Sequence, residues 1–244
     1  MIYKVPTEYK FLKPLNYPTL ARLGNPFGDG GYIVPMDIIQ NVDMLLSFGV
    51  GNDWSFEEDF YKHNKNKVIQ AYDGNITIDF LNKILEQPEF FWSLPNVTFN
   101  NTNIDDYNTL TNILTHLNLD GKTIYIKMDI EGYEYSVIDD LVNFADTIAG
   151  FVAEFHCTNF YENENDFSFT NTIKLLQTQY DIIHLHANNW GSQRFIELNH
   201  VLPDVCEFTF INKRYIHSDS YRPYVQLPID KPNIADLSDW TIQF

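Results

Sequence analysis

Apolar residues along the chain gather into short runs at 44–50 (MLLSFGV), 67–73 (KVIQAYD), 96–100 (NVTFN), 123–129 (TIYIKMD), 148–156 (IAGFVAEFH), 180–186 (YDIIHLH) and 205–213 (VCEFTFINK). Each has strand length and is rich in β-branched or aromatic residues, which suit a pleated surface. The amphipathic segments between them predict helices. Residues 53–64 follow Asp53 and carry Ser55-Phe56-Glu57-Glu58, a capping-box pattern. Residues 105–117 set Tyr107, Leu110, Ile113, Leu114 and Leu117 at helical spacing, and 133–142 do the same with Val137, Ile138, Leu141 and Val142. Further helices are expected over 78–87, stopping before Pro88, and over 168–178.

Strand alternating with helix predicts an α/β fold, doubly wound around a mostly parallel sheet. Residues 187–205 join the last two runs without a helical pattern, so the final strand is expected to run antiparallel. No repeat, low-complexity tract or Gly/Ser linker interrupts the chain. Residues 1–244 therefore read as a single domain, with a cap over 1–40, a Rossmann-like core over 41–213 and a tail over 214–244.

Charge narrows the partners. Sixteen Lys plus Arg stand against thirty-three Asp plus Glu, a net charge of −17. A field of that sign repels phosphate backbones and anionic lipids, so neither nucleic acid nor a membrane is an expected partner. Arg22, Lys127, Arg194 or Arg214 could still make a pocket locally basic. Two cysteines, Cys157 and Cys206, are too few and too far apart for a disulfide scaffold or a Cys-based zinc site, which suits a reducing compartment. The N-terminus lacks a secretory apolar stretch and no run approaches the ~20 residues that span a bilayer. The expectation is a soluble, cytoplasmic protein.

In a doubly wound sheet, ligands sit beyond the carboxyl ends of the strands. The first run ends in Phe48-Gly49-Val50-Gly51, a glycine turn into a helix, where a ligand can approach the backbone. Trp54 takes the place of the third glycine in a dinucleotide fingerprint, so an NAD oxidoreductase ranks last. The second run ends in Asp73, 22 residues after Gly51 (73 minus 51), where an acid can accept from both hydroxyls of a ribose. A plain Asp-Gly turn is the alternative. Together these features point to a nucleoside-containing ligand.

The fourth run ends in Lys127-Met128-Asp129-Ile130-Glu131-Gly132-Tyr133-Glu134, three carboxylates that repel one another unless they share a partner or a task. Glu134 is assigned to a helix start. Glu154 and His156 share one face of the fifth run; His184, read as structural, and His186 share one face of the sixth. Asp129, Glu154, His156 and His186 thereby converge from three successive strand ends. Carboxylate with imidazole suits Mg, Mn, Fe or Zn, and hard oxygen donors favour Mg or Mn. Asp129, Glu154 and His186 are the candidate ligands, and acid–base work by Asp129, His156 and His186 is the other reading.

With these pieces in hand, the chain resembles the FkbM-like S-adenosylmethionine-dependent methyltransferases. The resemblance is carried by RLGNPFGDGGY at 22–32, LSFGVGNDWSFE at 46–57, KMDIEGYE at 127–134, AEFH at 153–156, HLHANN at 184–189 and LPIDKPN at 227–233. It departs from the family where Ser47-Phe48 replaces the usual acid opening the glycine turn. It implies the class I methyltransferase fold, seven strands with the last antiparallel. S-Adenosylmethionine would bind at Phe48, Gly49, Gly51 and Asp73, under a cap containing Asp29 and Gly30, a segment that equally suits a plain turn; Arg22 meets the cofactor's carboxylate or makes a surface salt bridge. The resemblance also implies methyl transfer to an oxygen on a sugar, a nucleotide-linked sugar or another small molecule, with Asp129 at the reaction centre and magnesium in metal-dependent relatives. Trp54 and Tyr72 pack on the adenine or fill the core, and Trp190 and Trp240 form a sugar platform or pack. Two rival readings are a metal-dependent hydrolase built on the acid cluster and a non-catalytic nucleoside-binding module. Oligomeric state is left open, a homo-oligomer included.

Overall fold

The computed structural model describes residues 2–5, 7–76, 91–117, 119–156, 169–190, 202–223 and 225–244; the expected helix over 78–87, Cys157 and Arg194 fall outside them. Three short strands open the chain: Ile2–Lys4 (β1), Leu20–Gly24 (β2) and Gly31–Pro35 (β3). The apolar runs then become Met44–Phe48 (β4), Val68–Tyr72 (β5), Val97–Asn100 (β6), Ile124–Met128 (β7), Ile148–Phe155 (β8), Tyr180–Ala187 (β9) and Cys206–Asn212 (β10). These seven form one sheet in the order β6-β5-β4-β7-β8-β10-β9. Every pairing is parallel except those of β10, which runs antiparallel to both β8 and β9. The expected doubly wound fold with an antiparallel last core strand is what forms. The order adds one fact that chain sequence concealed: β10 inserts between β8 and β9.

Among the described residues the α-helices are Met36–Asn41 (α1), Ser55–His63 (α2), Leu110–His116 (α3), Ile138–Asn143 (α4) and Phe169–Leu176 (α5). Three expectations change. The helix expected over 133–142 opens as a 3-10 helix, Tyr133–Val137, and becomes α-helical only at Ile138. The helix expected from 105 begins only at Leu110, because Asp105 accepts from the backbone of Tyr107 and Asn108 in a local turn, and Thr109 then caps the helix by accepting from Asn112 N at 3.1 Å. Tyr107, expected on the apolar face, is 91% exposed. The capping box does not form either: Trp54 is the N-cap, Asp53 Oδ1 accepts from Ser55 N at 2.9 Å, and Glu58 turns to the indole N–H of Trp54.

Cap and tail fix the sheet's carboxyl edge. The β2–β3 hairpin is held to β10 by Thr209 Oγ1 donating to the Ile33 carbonyl, and to the end of β7 by Tyr32. A last strand, Thr241–Gln243 (β11), pairs parallel with β1, and Trp240 bridges to Ala187. Among the described residues no helix is long and apolar enough to cross a membrane. The core between sheet and helices is aromatic: Phe151 of β8 stacks on Phe210 of β10 at 4.7 Å and meets Tyr180 of β9 edge-on at 5.2 Å. Phe151→Ala would open a cavity where three strands meet. It is expected to cost about 4 kcal/mol of unfolding free energy, read from urea denaturation.

Candidate functional site

The strand order reverses between β4 and β7, and a cavity of about 670 Å³ opens there at the carboxyl edge. Residues 49–53 after β4, Asp73 and Asn75 after β5, Asn103 and Ile104 after β6, and Asp129–Glu131 after β7 wall it from below. Asn25, Asp29, Gly30 and Tyr32 of the cap close the other side.

Two glycines in the turn after β4 do different work. Gly49 has φ +73°, and a Cβ there would collide with the Asp129 carbonyl oxygen, so glycine lets this loop lie directly on the end of β7. Gly51 has φ +58°, and its missing Cβ would stand in open space. The backbone is thus bare toward the cavity at Gly51 and buried against protein at Gly49. Phe48, expected among the cofactor contacts, points into the core against Tyr72 at 5.2 Å and contributes only its carbonyl, which accepts from Asp129 N at 2.9 Å.

Asp73 is buried and faces inward. Its Oδ2 accepts from Val50 N at 2.9 Å and Gly51 N at 2.8 Å, while Oδ1 accepts from Asn75 N at 2.8 Å. A carboxylate offers about four acceptor sites. Three are used by the protein, so Asp73 clamps the glycine turn and keeps one site, on Oδ1, for a ligand. The two-hydroxyl grip expected of it needs a neighbour's help. Asn75 and Asn103, which sequence reading did not single out, line the same wall.

Lys127, near the end of β7, is buried. Its ammonium donates to the Gly49 carbonyl and lies 5.6 Å from the ring centre of Tyr32. Glu57 of α2 is fully buried beneath the turn, where Ser47 Oγ donates to it. Burial pushes the Glu57 carboxyl up, and the charge of Lys127 opposes the shift. An acid thus stands beside Ser47, supplied by the helix rather than by the strand.

Across the cavity, Tyr32 donates its phenolic O–H to Asp129 Oδ2 at 3.0 Å, and Asp129 Oδ1 is buried without a hydrogen-bond partner among the described residues. One ligand atom each of Asp129, Glu154 and His156 lies within 4.8 Å of the others. Asn188 donates to Glu154 Oε1, and His156 Nε2 stands 3.7 Å from Oε2. Burial, then Asp129 and Glu207, hold the Glu154 carboxyl well above the usual carboxylate range. Burial alone would lower His156, but Glu134, Asp129 and Glu131 outweigh it and the imidazole is raised. Glu134 Oε1 accepts from Ile130 N and Gly132 N, and so holds the turn that starts the next helix, the role expected of it.

His186 lies elsewhere. Because β10 intervenes, Glu207 pairs with Glu154 on one side and with His186 on the other. His186 Nδ1 is 3.4 Å from Glu207 Oε2, and Nε2 is 3.1 Å from Asp239 Oδ1, so both nitrogens face carboxylates of their own. The group whose ligand atoms the structure gathers closely enough to hold a metal ion is Asp129, Glu154 and His156; among the described residues His186 is not part of it. A second group, Asp29, Glu154 and Glu207, also falls within 4.8 Å, and Asn233 of the tail donates to both Asp29 and Glu207. Glu207 carries a signal that sequence reading passed over: a lone acid inside an apolar strand, facing inward.

The remaining candidates sort simply. Asp29 and Gly30 line the cavity. Arg22 does not; its guanidinium donates to the carbonyls of Asn25 at 2.8 Å and Gly28 at 2.5 Å, bracing the cap loop. Trp54 meets Trp92 edge-on, Tyr72 lies against Phe48, and neither reaches the cavity. Trp240 packs on the core, whereas Trp190 is 65% exposed. His184 is fully buried against Asp230 at 2.9 Å, in keeping with a structural part.

No protein-family model matches the chain, and no curated protein matches its sequence. Among solved structures, it is similar to a fibrillarin pre-rRNA processing protein of Methanococcus jannaschii, at 10% identity over 71% of this chain and 68% of that one, with a TM-score of 0.42. It is also similar to an antibiotic-related methyltransferase (17% identity, 72% and 90% covered, TM-score 0.36). A third is the mitomycin 7-O-methyltransferase MmcR (10% identity, 71% and 50% covered, TM-score 0.38).

The charge on His186 can be checked directly. Burial works against it, but Glu207, Asp239 and Asp230 raise the imidazole to about 10. A folded value above the unfolded ~6.5 stabilises the fold fully below the unfolded value and fades as pH climbs through the folded one. The stability gap between the natural protein and His186→Gln should therefore be widest at pH 6 and shrink toward pH 10 in urea titrations.

Proposed function

We propose that the chain is an S-adenosylmethionine-dependent O-methyltransferase of the FkbM-like kind, acting on a hydroxyl of a small neutral molecule such as a carbohydrate. The observation that carries this reading is the pairing of a buried acid after β5 with a bare glycine backbone after β4, both walling a cavity at the sheet's reversal point. A ribose hydroxyl would meet the free site on Asp73 Oδ1, and Asn75 and Asn103 are at hand for the second. The sulfonium of the bound donor supplies the electrophilic methyl group. A cavity walled by Asp29, Asp53, Asp73, Asp129 and Glu131, with Lys127 committed to Gly49, suits a ligand of positive charge. The same lining disfavours a nucleotide-linked acceptor, so the neutral alternative is preferred.

The acid cluster raises a chemical difficulty. Negative surroundings make an acceptor hydroxyl harder, not easier, to deprotonate. A divalent cation resolves this, and the donor set fits one: two carboxylates and an imidazole, one carboxylate oxygen buried without a partner among the described residues, and Glu154 driven toward its protonated form by burial and by its acidic neighbours. Asp129, Glu154 and His156 would hold magnesium or manganese, which when bound lowers the pKa of an oxygen it touches. Tyr32 fixes the second oxygen of Asp129, and Asn188 fixes Glu154. The chain's own part is to align the acceptor in line with the methyl group and to keep water out beneath the cap.

Calorimetric titration with S-adenosylhomocysteine should give saturable binding, and Asp73→Ala should weaken it at least tenfold; no binding at millimolar concentration removes the reading. A hydrolase built on the acid cluster would instead keep its activity in Asp73→Ala. Manganese binding, followed by electron paramagnetic resonance without any substrate, should be lost in Asp129→Asn. It should also tighten as pH rises, because Glu154 must release a proton to bind the ion.

A further inference from the structure

A second hollow, of about 490 Å³, is lined by Arg22, Gly24 and Pro26 of the cap, by Ser55, Asp59 and Lys62 of α2 and by Pro228, Ile229 and Lys231 of the tail. Its walls carry Arg22, Lys62 and Lys231 against one acid, Asp59, with Pro228 and Ile229 as an apolar side. The acid is already spent: Asp59 Oδ1 pairs with Lys62 at 2.7 Å, and Oδ2 accepts from Gly24 N at 3.0 Å. The other two cations are uncompensated. Arg22 donates only to backbone carbonyls, which leaves three of its five N–H donors unused. Lys231 has neither an ion pair nor a hydrogen bond among the described residues. Ser55, the first residue of α2, adds a buried Oγ with no hydrogen-bond partner among the described residues. On a chain of net charge −17, a concave surface with two unpaired cations and an orphaned hydroxyl opposes the field of the rest of the molecule.

We infer that this hollow is a binding site for an anion of the phosphate type, separate from the acidic cavity. Arg22 offers the planar fork that matches two oxygens of such a group, Lys231 a point charge and Ser55 a neutral donor. Pro228 and Ile229 give an organic body something to rest on. The site owes nothing to methyl transfer and stands or falls separately from it.

The test uses inorganic pyrophosphate with the whole chain, titrated by calorimetry in EDTA so that no metal can bridge the anion to the acid cluster. One saturable site is expected, weakening as salt is raised. Lys231→Ala should bind about tenfold more weakly, as befits one partly solvated charge at contact distance, and Lys231→Glu more weakly still. Lys122→Ala, which removes an exposed lysine outside the hollow, should bind as the natural protein does. Circular dichroism melts confirm that the variants fold. Absence of saturable binding overturns the inference, as does equal affinity in the Lys231 variants or an equal loss in Lys122→Ala.

Discussion

Four carboxylates, Asp29, Asp129, Glu154 and Glu207, meet at the carboxyl edge of the sheet, and their mutual repulsion is the constraint around which this part of the molecule is arranged. Like charges in a space poor in water cannot all stay ionised without compensation. The chain supplies it from every side. Tyr32 comes from the cap, Asn188 from the end of β9, Asn233 from the tail and His186 from the neighbouring strand. Segments more than two hundred residues apart, such as Asp29 and Asn233, are brought together here. Cap and tail are thus parts of the same electrostatic assembly as the strand ends, not coverings laid over a finished site.

The fold was legible because it rests on local chemistry. Runs such as TIYIKMD and IAGFVAEFH have no alternative to a buried strand, and the strands that formed differ from the runs by a residue or two at their ends. That Asp73 and the glycine turn lie together at the strand ends was legible from chain order alone, but the three backbone amides that Asp73 accepts and the packing of Gly49 on the end of β7 were not. The grouping of Asp129, Glu154 and His156 was only half legible. Alternation along a strand says which face a side chain takes, but not which strand lies beside it. His186 was grouped with Glu154 because their runs are consecutive, yet β10 passes between them and puts Glu207 there instead. His156, on the same strand as Glu154, needed no such assumption.

Tyr107 and the α2 start show the other limit. Helical spacing put Tyr107 on the apolar face, but a single carboxylate, Asp105, accepted two backbone amides and delayed the helix by about a turn. Likewise Asp53 took the amide that a capping box would have satisfied, because its other oxygen already reached Asn25 of the cap loop. In both places a short polar side chain competed for backbone hydrogen bonds, and periodicity has no term for that contest.

The two glycines after β4 bear on how sequence variation in this protein is to be interpreted. Position 49 is closed to every side chain because the end of β7 occupies the place, so intolerance there reports on assembly of the scaffold. Position 51 borders open space at the edge of the acidic cavity, and a bulkier residue there meets no neighbour, apart from the backbone strain of its own φ. Two turn positions of identical composition, one residue apart, thereby answer to different demands: the first to folding, the second largely to whatever guest the cavity admits.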